Sequence, residues 1–468
     1  MDNKRSISEI MEGKREMFIQ VSDRIWEFAE TRFEEFRSAE LLCATLENEG
    51  FKVERGVGGM ETAFVGSYGS GGPVVAILGE YDALAGLSQY QGEAQEHPVV
   101  PGGNGHGCGH NLLGTGSLAA AVSLRHYMEE NGIAGTVRYY GCPGEEGGSG
   151  KAFMAKAGLF DDADIAICWH PGVANGIMSG SSLANYQVYY KFKGRTSHAA
   201  ASPHLGRSAL DAVELMNVGV NYLREHIIQE ARVHYAITNS GGISPNVVQG
   251  EAEVLYLIRA PKTQQVEEIY QRICNIARGA ALMTGTEAEI VFDKACSNVV
   301  PNSVLENVMH ECFQELGVPQ FTEEELRYAG AIRSSLSDAD KSFSIRSELK
   351  DKDMCDVLLP LTEEARQRVM SGSTDVGDVS WVVPTVQCST ACWAIGTPAH
   401  TWQVVSQGAT SISHKAMLHA GKVMAETALK VLLDPDIAAR AKAELSELLD
   451  GQAYVSPIPD GVKPSAKK

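Results

Sequence analysis

The decapeptide NYQVYYKFKG (185–194) alternates apolar and polar residues, as a strand does when one face meets a core and the other meets water. The strand-like segments before it read differently. PVVAIL (73–78), TVRYYG (136–141) and ADIAIC (163–168) are short apolar-rich runs of the kind that sheets bury on both faces. They alternate with helical stretches, NLLGTGSLAAAVSLRHYMEENG (111–132) and a segment around 150–158, which implies an α/β fold with a mainly parallel sheet flanked by helices. The change of pattern near 184 therefore marks a second unit. After 194 the order is a helix over 207–229, strands near 233–238 and 251–260, a helix over 263–283, and the strand EAEIVFD (287–293). That βαββαβ order suits a four-stranded antiparallel sheet with two helices on one face. The expected organisation is a discontinuous first domain, 1–183 with 298–468, and an inserted α+β domain, 184–297.

Outside this frame, Phe18, Val21, Ile25 and Phe28 recur at helical spacing within 7–33, and a second helix is expected over 36–50. TACWAIG (390–396) reads as an apolar strand and GKVMAETALKVLLD (421–434) as a terminal core helix. The charged stretch 320–372 reads as an irregular surface insertion, and SPIPDGVKPSAKK (456–468) as a mobile tail.

The chain has 468 residues, with 40 Lys and Arg against 59 Asp and Glu, a net charge of −19. No basic stripe interrupts this acidity, so nucleic acid is not an expected partner. No apolar run is long enough to span a bilayer, and the first residues lack the apolar core of a secretion signal. The ten cysteines contain no CxxC pair. The reading expects a cytoplasmic protein with reduced thiols, no membrane contact and no disulfide framework.

Open α/β sheets place their sites where parallel strands end. Four polar clusters fall at or near such ends: GEYDAL (79–84), GHGCGHN (105–111), GCPGEEGG (141–148) and WHPG (169–172). They carry Asp82, His106, Cys108, His110, Glu145, Glu146 and His170. Thiolate, imidazole and carboxylate are the donors of Zn²⁺ and related transition metals. Adjacent glutamates point different ways, so one can bind metal while the other acts as a general base. Taken singly each cluster has a bland reading: a CxH is incidental, paired glutamates are solvated, His170 is a core histidine, and His106 caps the next helix. Cys142 and Cys168 read as core thiols. Their convergence on one sheet edge favours a metal site. GGNGHG lacks the GxGxxG spacing, no GxxxxGK[ST] is present, and GRSAL is not a GxSxG elbow.

In this order the clusters resemble peptidase family M20, and within it the amidohydrolase branch. HGCGHN is similar to that branch's HxCGHD, PGEEGG to its PxEEG and WHP to its HxP. GRTSHAAASPHLGRSALDA (194–212) and HYAITNSGGISPNVV (234–248) resemble the segments of its dimerisation domain. The resemblance implies a metal-dependent amidohydrolase with two divalent ions per subunit, Zn²⁺ or Mn²⁺, the thiolate leaning to zinc. Its ligands would be Cys108, His110, Glu146, His170 and His400, with His414 as the alternative last ligand. Glu145 would be the general base, Asp82 an orienting residue, and His198 a histidine that reaches across a dimer to the substrate oxyanion. Asn246 and Arg259 would hold the substrate's carboxylate or carbonyl, with Arg207 a further candidate for an acidic group. Residues 1–183 and 298–468 would form the catalytic domain, and 184–297 the dimerisation or lid domain. The implied substrates are N-acyl or N-aroyl amino acids, p-aminobenzoyl-glutamate first, then indole-3-acetyl amino acids and small dipeptides. The implied assembly is a homodimer or a heterodimer with a paralogous subunit. A non-catalytic partner subunit is the rival reading. Three departures from the branch stand out: Asn111 for the aspartate of CGHD, GEYDAL for ADxDAL, which leaves Glu80 without an assured role, and HTWQ for HSP after His400.

Overall fold

In the computed structural model, which describes residues 5–342 and 349–466, the chain builds two principal sheets. The strands are β1 (Lys52–Arg55), β2 (Phe64–Ser70), β3 (Val74–Gly79), β4 (Gly135–Gly141), β5 (Ile165–Gly172), β6 (Gly176–Ile177), β7 (Ser181–Ser182), β8 (Ala184–Lys193), β9 (Arg232–Asn239), β10 (Glu251–Ala260), β11 (Glu287–Cys296), β12 (Val369–Met370) and β13 (Thr385–Ala391). The large sheet has the order β1-β2-β4-β3-β5-β13-β6. Its four central strands, β4, β3, β5 and β13, run parallel, while β1, β2 and β6 add antiparallel edges. The sheet is thus mixed, with a parallel centre.

The helices His110–Asn131 and Ser411–Leu433 pack against this centre and against each other, and both are buried along most of their length. Val75, Ala76, Ile77, Ile165, Ala166 and Ile167 are fully buried between the layers. Each large apolar side chain there contributes about 1.5–3 kcal/mol of burial free energy. Trp169 is sealed in as well, its indole N–H donating to the Leu113 carbonyl at 2.9 Å.

The second sheet has the order β11-β8-β10-β9, antiparallel throughout, with the helices Ala209–Leu223 and Thr263–Thr284 packed on it. The alternation read in 185–194 reappears as alternating burial along β8 and β10. Polar links tie the second sheet and the residue after it to loops and a helix outside it: Arg32 to Asp293, Ser297 to Asp378, and Arg259 to Ser373.

Several expectations need correction. The helix foreseen over 7–33 is two helices, Ile7–Gly13 and Arg15–Phe28, which meet at Lys14, where the backbone leaves helical geometry; the second ends at Ala29 in the left-handed region. The helix foreseen over 207–229 stops at Leu223. The strand placed on 390–396 lies earlier, at Thr385–Ala391. The insertion, of which 343–348 lie outside the described residues, is not irregular throughout. Its helix Glu323–Ser334 opens with a Thr322–Glu325 capping box, and Ala329, Ile332, Leu349, Met354 and Cys355 bury themselves against Ala391, Ala394, Ile395 and Ile412. Part of the tail is also anchored: Ile458 is buried, and Lys156 Nζ donates to the carbonyls of Ile458 and Pro459 at 2.8 Å. Among the described residues, no helix is long and apolar enough to cross a membrane.

Candidate metal centre

The C-terminal ends of β3, β4 and β5 deliver three of the clusters to one place. β3 runs into Glu80 and Asp82, β4 into Glu145 and Glu146, and the last residues of β5 carry His170. GHGCGHN supplies the start of the helix His110–Asn131. Gly109, at the cap of that helix, has φ +73°, and a Cβ there would lie 2.4 Å from the Trp393 ring, so the turn that presents Cys108 and His110 admits only glycine. The loop after β13 brings His400, held at φ +61°, a conformation that a non-glycine residue adopts at a cost. Its amide donates to the Gly107 carbonyl at 2.9 Å, which ties this loop to the cysteine turn.

Hydrogen bonds fix how the imidazoles face. His110 Nδ1 lies 2.8 Å from Asp82 Oδ1, and His170 Nδ1 lies 2.7 Å from the Pro171 carbonyl. Carboxylate and carbonyl oxygens only accept, so each Nδ1 donates and each Nε2 is the nitrogen left for the cluster. Asp82 is used twice, because its Oδ2 accepts the Glu146 amide at 2.9 Å. Asp82 therefore aligns His110 and the glutamate turn together. Glu35, which sequence reading passed over, accepts from Thr62 Oγ1 at 3.0 Å and from the Gly144 amide at 2.8 Å, bracing the same turn. Burial and the Asp82 charge push its carboxyl up to about 8.

The donors converge. Cys108 Sγ is 3.4 Å from His170 Nε2, His400 Nε2 is 3.3 Å from Glu146 Oε1, and His110 Nε2 is 4.0 Å from Glu146 Oε1. Atoms that each sit about 2.0–2.3 Å from a shared ion stand at such separations. Three groups could hold an ion: Cys108 with His110 and His170, Cys108 with Glu146 and His400, and Glu80 with His110 and Glu145. The first two share Cys108, as a bridging thiolate between two ions requires. Glu80 Oε2, His110 Nε2 and Glu146 Oε1 are buried polar atoms without a hydrogen-bond partner, which an ion would satisfy. The residues fit a two-ion centre.

Burial works against a charged His110, but Asp82, Cys108 and Glu80 outweigh it and hold the imidazolium well above its ordinary range. Burial and the Glu146 charge push the Cys108 thiol well up. Burial also acts to raise Glu146, yet the His400 and His110 imidazoles bring it down to about 2. Glu145 goes the other way: burial, then the charges of Glu80, Asp375 and Glu146, outweigh the His110 imidazole and push its carboxyl well above the usual range. His400 is 52% exposed, so the cluster opens to solvent on that side. Beside that opening, an apolar cavity of about 500 Å³ lies between the end of β5 and the His400 loop, with Val173, Met178, Leu359, Ile395 and Pro398 among its walls.

Other candidates lie elsewhere. His414 pairs with Asp23 at 2.7 Å on the helix Ser411–Leu433, away from the donors, so His400 is the histidine the fold brings to Glu146. His106 neither caps the helix nor faces the donors. It donates to the Ile25 carbonyl at 2.9 Å, and burial lowers it to about 3. His198 is exposed on the second sheet's unit, its Nδ1 accepting from the amides of Ala200 and Ala201, and the Asn246 carbonyl accepts from the Ala199 amide beside it. No described hydrogen bond joins either to the donor cluster. Arg207 directs its guanidinium to the carbonyls of His204 and Gly206. Arg259, on β10, donates to Ser373 Oγ at 2.9 Å and lies close enough to sense the Glu145 charge. Sequence reading gave Glu80 no role and overlooked Lys151 and Asp375; the three meet as a buried ion cluster beneath the donors.

Residues 76–460 match the family model described as peptidase family M20/M25/M40. The chain is 52% identical over 478 residues to the B subunit of p-aminobenzoyl-glutamate hydrolase from Escherichia coli (strain K12), covering 99% of each chain. It is 30% identical over 447 residues to the Xaa-Arg dipeptidase of Mus musculus, covering 92% of this chain and 89% of that one. Among solved structures it is similar in fold to a Bacillus subtilis protein described as a dinuclear metal binding peptidase from the M20 family, with TM-score 0.57 and 18% identity, covering 90% of this chain and 99% of that one.

Proposed function

The chain belongs to peptidase family M20/M25/M40, and from this we propose that it is a metal-dependent amidohydrolase that cleaves N-aroyl amino acids, p-aminobenzoyl-glutamate first among them. The observation that carries this reading is the pair of donor groups sharing Cys108 next to an unengaged glutamate, Glu145, in a chain that matches the named hydrolase subunit end to end. Two divalent cations, Zn²⁺ or Mn²⁺, would supply Lewis acidity to the scissile carbonyl and acidify the attacking water. Cys108, His110, His170, Glu146 and His400 would hold them, with Asp82 fixing His110 and the Glu146 turn. Glu145 takes the proton of the attacking water on its carboxylate and passes it to the leaving amide nitrogen. The apolar cavity beside His400 accepts the aroyl ring. Arg259 and Asn246 take the substrate's carboxylate or carbonyl.

Residues 184–297 serve in this reading as the dimerisation or lid domain. Support comes from Val218 and Tyr222 on its first helix and Tyr235 and Ile237 on the edge strand β9, all large apolar side chains exposed in the single chain. His198, which no described hydrogen bond joins to the donors of its own chain, then acts from a neighbouring subunit on the oxyanion. The relative's name describes one subunit of a hydrolase, which favours a second arrangement, in which that neighbour is a paralogous chain rather than a copy.

The test is glutamate release from p-aminobenzoyl-glutamate by the full chain, stripped of metal and refilled with Zn²⁺ or Mn²⁺, against hippurate, indole-3-acetyl-aspartate and dipeptides. Metal-dependent release that Glu145→Ala abolishes while keeping its metal is the expected result. Activity near wild type in that variant removes Glu145 as the base. Silence of a metal-loaded homo-oligomer that a co-expressed paralogue relieves selects the hetero-oligomer.

A further inference from the structure

Two buried charges at the centre have no place in the ligand set above. Lys151 is the second residue of the helix Gly150–Lys156 and is fully buried, and Glu80 is 2% exposed. Lys151 Nζ lies 2.6 Å from Glu80 Oε1 and 2.6 Å from Asp375 Oδ1, while its own amide donates to Asp375 Oδ2 at 2.8 Å. Asp375 is therefore engaged through both oxygens. Glu80 is engaged through one only.

Its second oxygen, Oε2, is 3.2 Å from His110 Nε2, and neither atom has a hydrogen-bond partner. His110 gives its Nδ1 hydrogen to Asp82, so a ring that holds an ion through Nε2 has no hydrogen there to give to Glu80. An ion on Nε2 therefore meets Glu80 Oε2 as a second buried acceptor beside it. The separation suits one: two donors each about 2.1 Å from an ion, subtending about 100° there, stand this far apart. The Glu80, His110 and Glu145 group and the Cys108, His110 and His170 group meet at His110, so the ion on His110 is within reach of both.

We propose that Glu80 is itself a metal ligand, completing through Oε2 the sphere of the ion held by Cys108, His110 and His170, while Lys151, held in turn by Asp375, acts as a positioning residue that fixes Oε1. The proposal rests on the metal-centre part of the function above and not on its substrate. It makes the two ions unequal. One gains an extra anionic donor and is closed in; the other, on Cys108, Glu146 and His400, keeps its open side at the exposed rim and is the one free to meet the substrate carbonyl.

Co²⁺ provides the probe, because its visible absorption strengthens as coordination number falls and its thiolate charge-transfer band reports Cys108 independently. In the full chain, Glu80→Gln keeps the side-chain shape and the contact to Lys151 but removes the anionic donor. The expected result is a stronger visible band, an unchanged thiolate band, and release of one Co²⁺ per subunit to a chelator at least about tenfold more readily. Lys151→Met, which frees Glu80 from its anchor, should alter the same visible band and spare the thiolate band. A Glu80→Gln spectrum and release curve matching wild type overturn the proposal and leave Glu80 as a counter-ion to a protonated His110. Should that variant not fold, Glu80→Asp, whose carboxylate reaches one methylene less far, is read against the same two outcomes. A wild type that binds no Co²⁺, or binds it without a thiolate band, overturns the metal-centre reading and this proposal with it.

Discussion

Replacing Asp82 with asparagine isolates the orienting role from every other property of the site. The carboxylate accepts twice, from His110 Nδ1–H at 2.8 Å and from the Glu146 amide at 2.9 Å. Asparagine has one acceptor oxygen, so whichever way the carboxamide sits, its NH₂ group meets a donor. If the NH₂ faces Glu146, the turn carrying that ligand loses a buried hydrogen bond, at about 1–3 kcal/mol. If it faces His110, the ring takes the other tautomer to accept from it, and Nε2 then carries a hydrogen and cannot ligate. Disturbing a ligand's hydrogen-bonded support lowers metal affinity by about 10–100-fold, or about 1.4–2.8 kcal/mol, which agrees with the hydrogen-bond figure. The assay is Zn²⁺ competition against a chromophoric chelator, with elemental analysis for stoichiometry and circular dichroism for folding. Asp82→Asn should fold, bind at least one ion with affinity reduced in that range, and turn over substrate slowly. Affinity within about twofold of wild type would refute the reasoning, because it would mean that His110 needs no partner to present Nε2.

His198→Ala should keep its metal and lose turnover, and mixing it with Glu145→Ala subunits should restore partial activity if His198 serves the neighbouring site; absence of rescue across a range of mixing ratios would return His198 to its own subunit or remove it from catalysis. Met178→Trp, which fills part of the cavity beside the His400 loop, should raise KM for p-aminobenzoyl-glutamate and spare acetyl-glutamate; equal effects on both would separate the cavity from the acyl group. Asp378, fully buried, accepts from the Ser297 amide and hydroxyl and from the Tyr454 hydroxyl, yet burial raises its carboxyl to about 7. A raised folded-state value means that its contribution is complete below the unfolded value and fades as pH rises toward 7, by up to about 4 kcal/mol. The Tm difference between Asp378→Asn and wild type should therefore shift in favour of the variant from about pH 4 to about pH 8, and a pH-independent difference would contradict this.

The donors are legible in the sequence because each sits within a few residues of a glycine-rich turn at a strand end, and the strands announce themselves as apolar runs. The choice between His400 and His414 is not. Both follow β13, and only the fold reveals that a loop residue at positive φ meets Glu146 while a helical one meets Asp23. Lys151 hides for a different reason. In GSGKAF a lysine in the first turn of a short helix reads as a solvated surface group, and its partner Asp375 lies 224 residues away in the chain. Glu80 is visible as a departure from the branch pattern but not as a charge with a buried partner. The insertion misleads because its dense charge conceals Ala329, Ile332 and Met354, which are too few to set a periodicity but enough to bury a small core. The edge strands β1 and β2 carry too little apolar signal to stand out from turns.

The charge arrangement gives these pieces a common logic. Glu80, Asp82, Glu145, Glu146 and Asp375 crowd carboxylates into buried or half-buried space, and among the described residues Lys151 is the lysine the fold sends among them. Isolated buried charge of this density is not stable in a low-dielectric interior, and one ammonium does not offset it. The ammonium is fully buried against Glu80 and Asp375, while Glu146 faces the exposed His400. On the proposal above, a permanent cation would offset part of the charge of Glu80 and Asp375, and exchangeable cations the charge that remains. This division explains why a metal centre tolerates a lysine at all. It holds Glu80 through Oε1 and leaves Oε2 facing His110 Nε2.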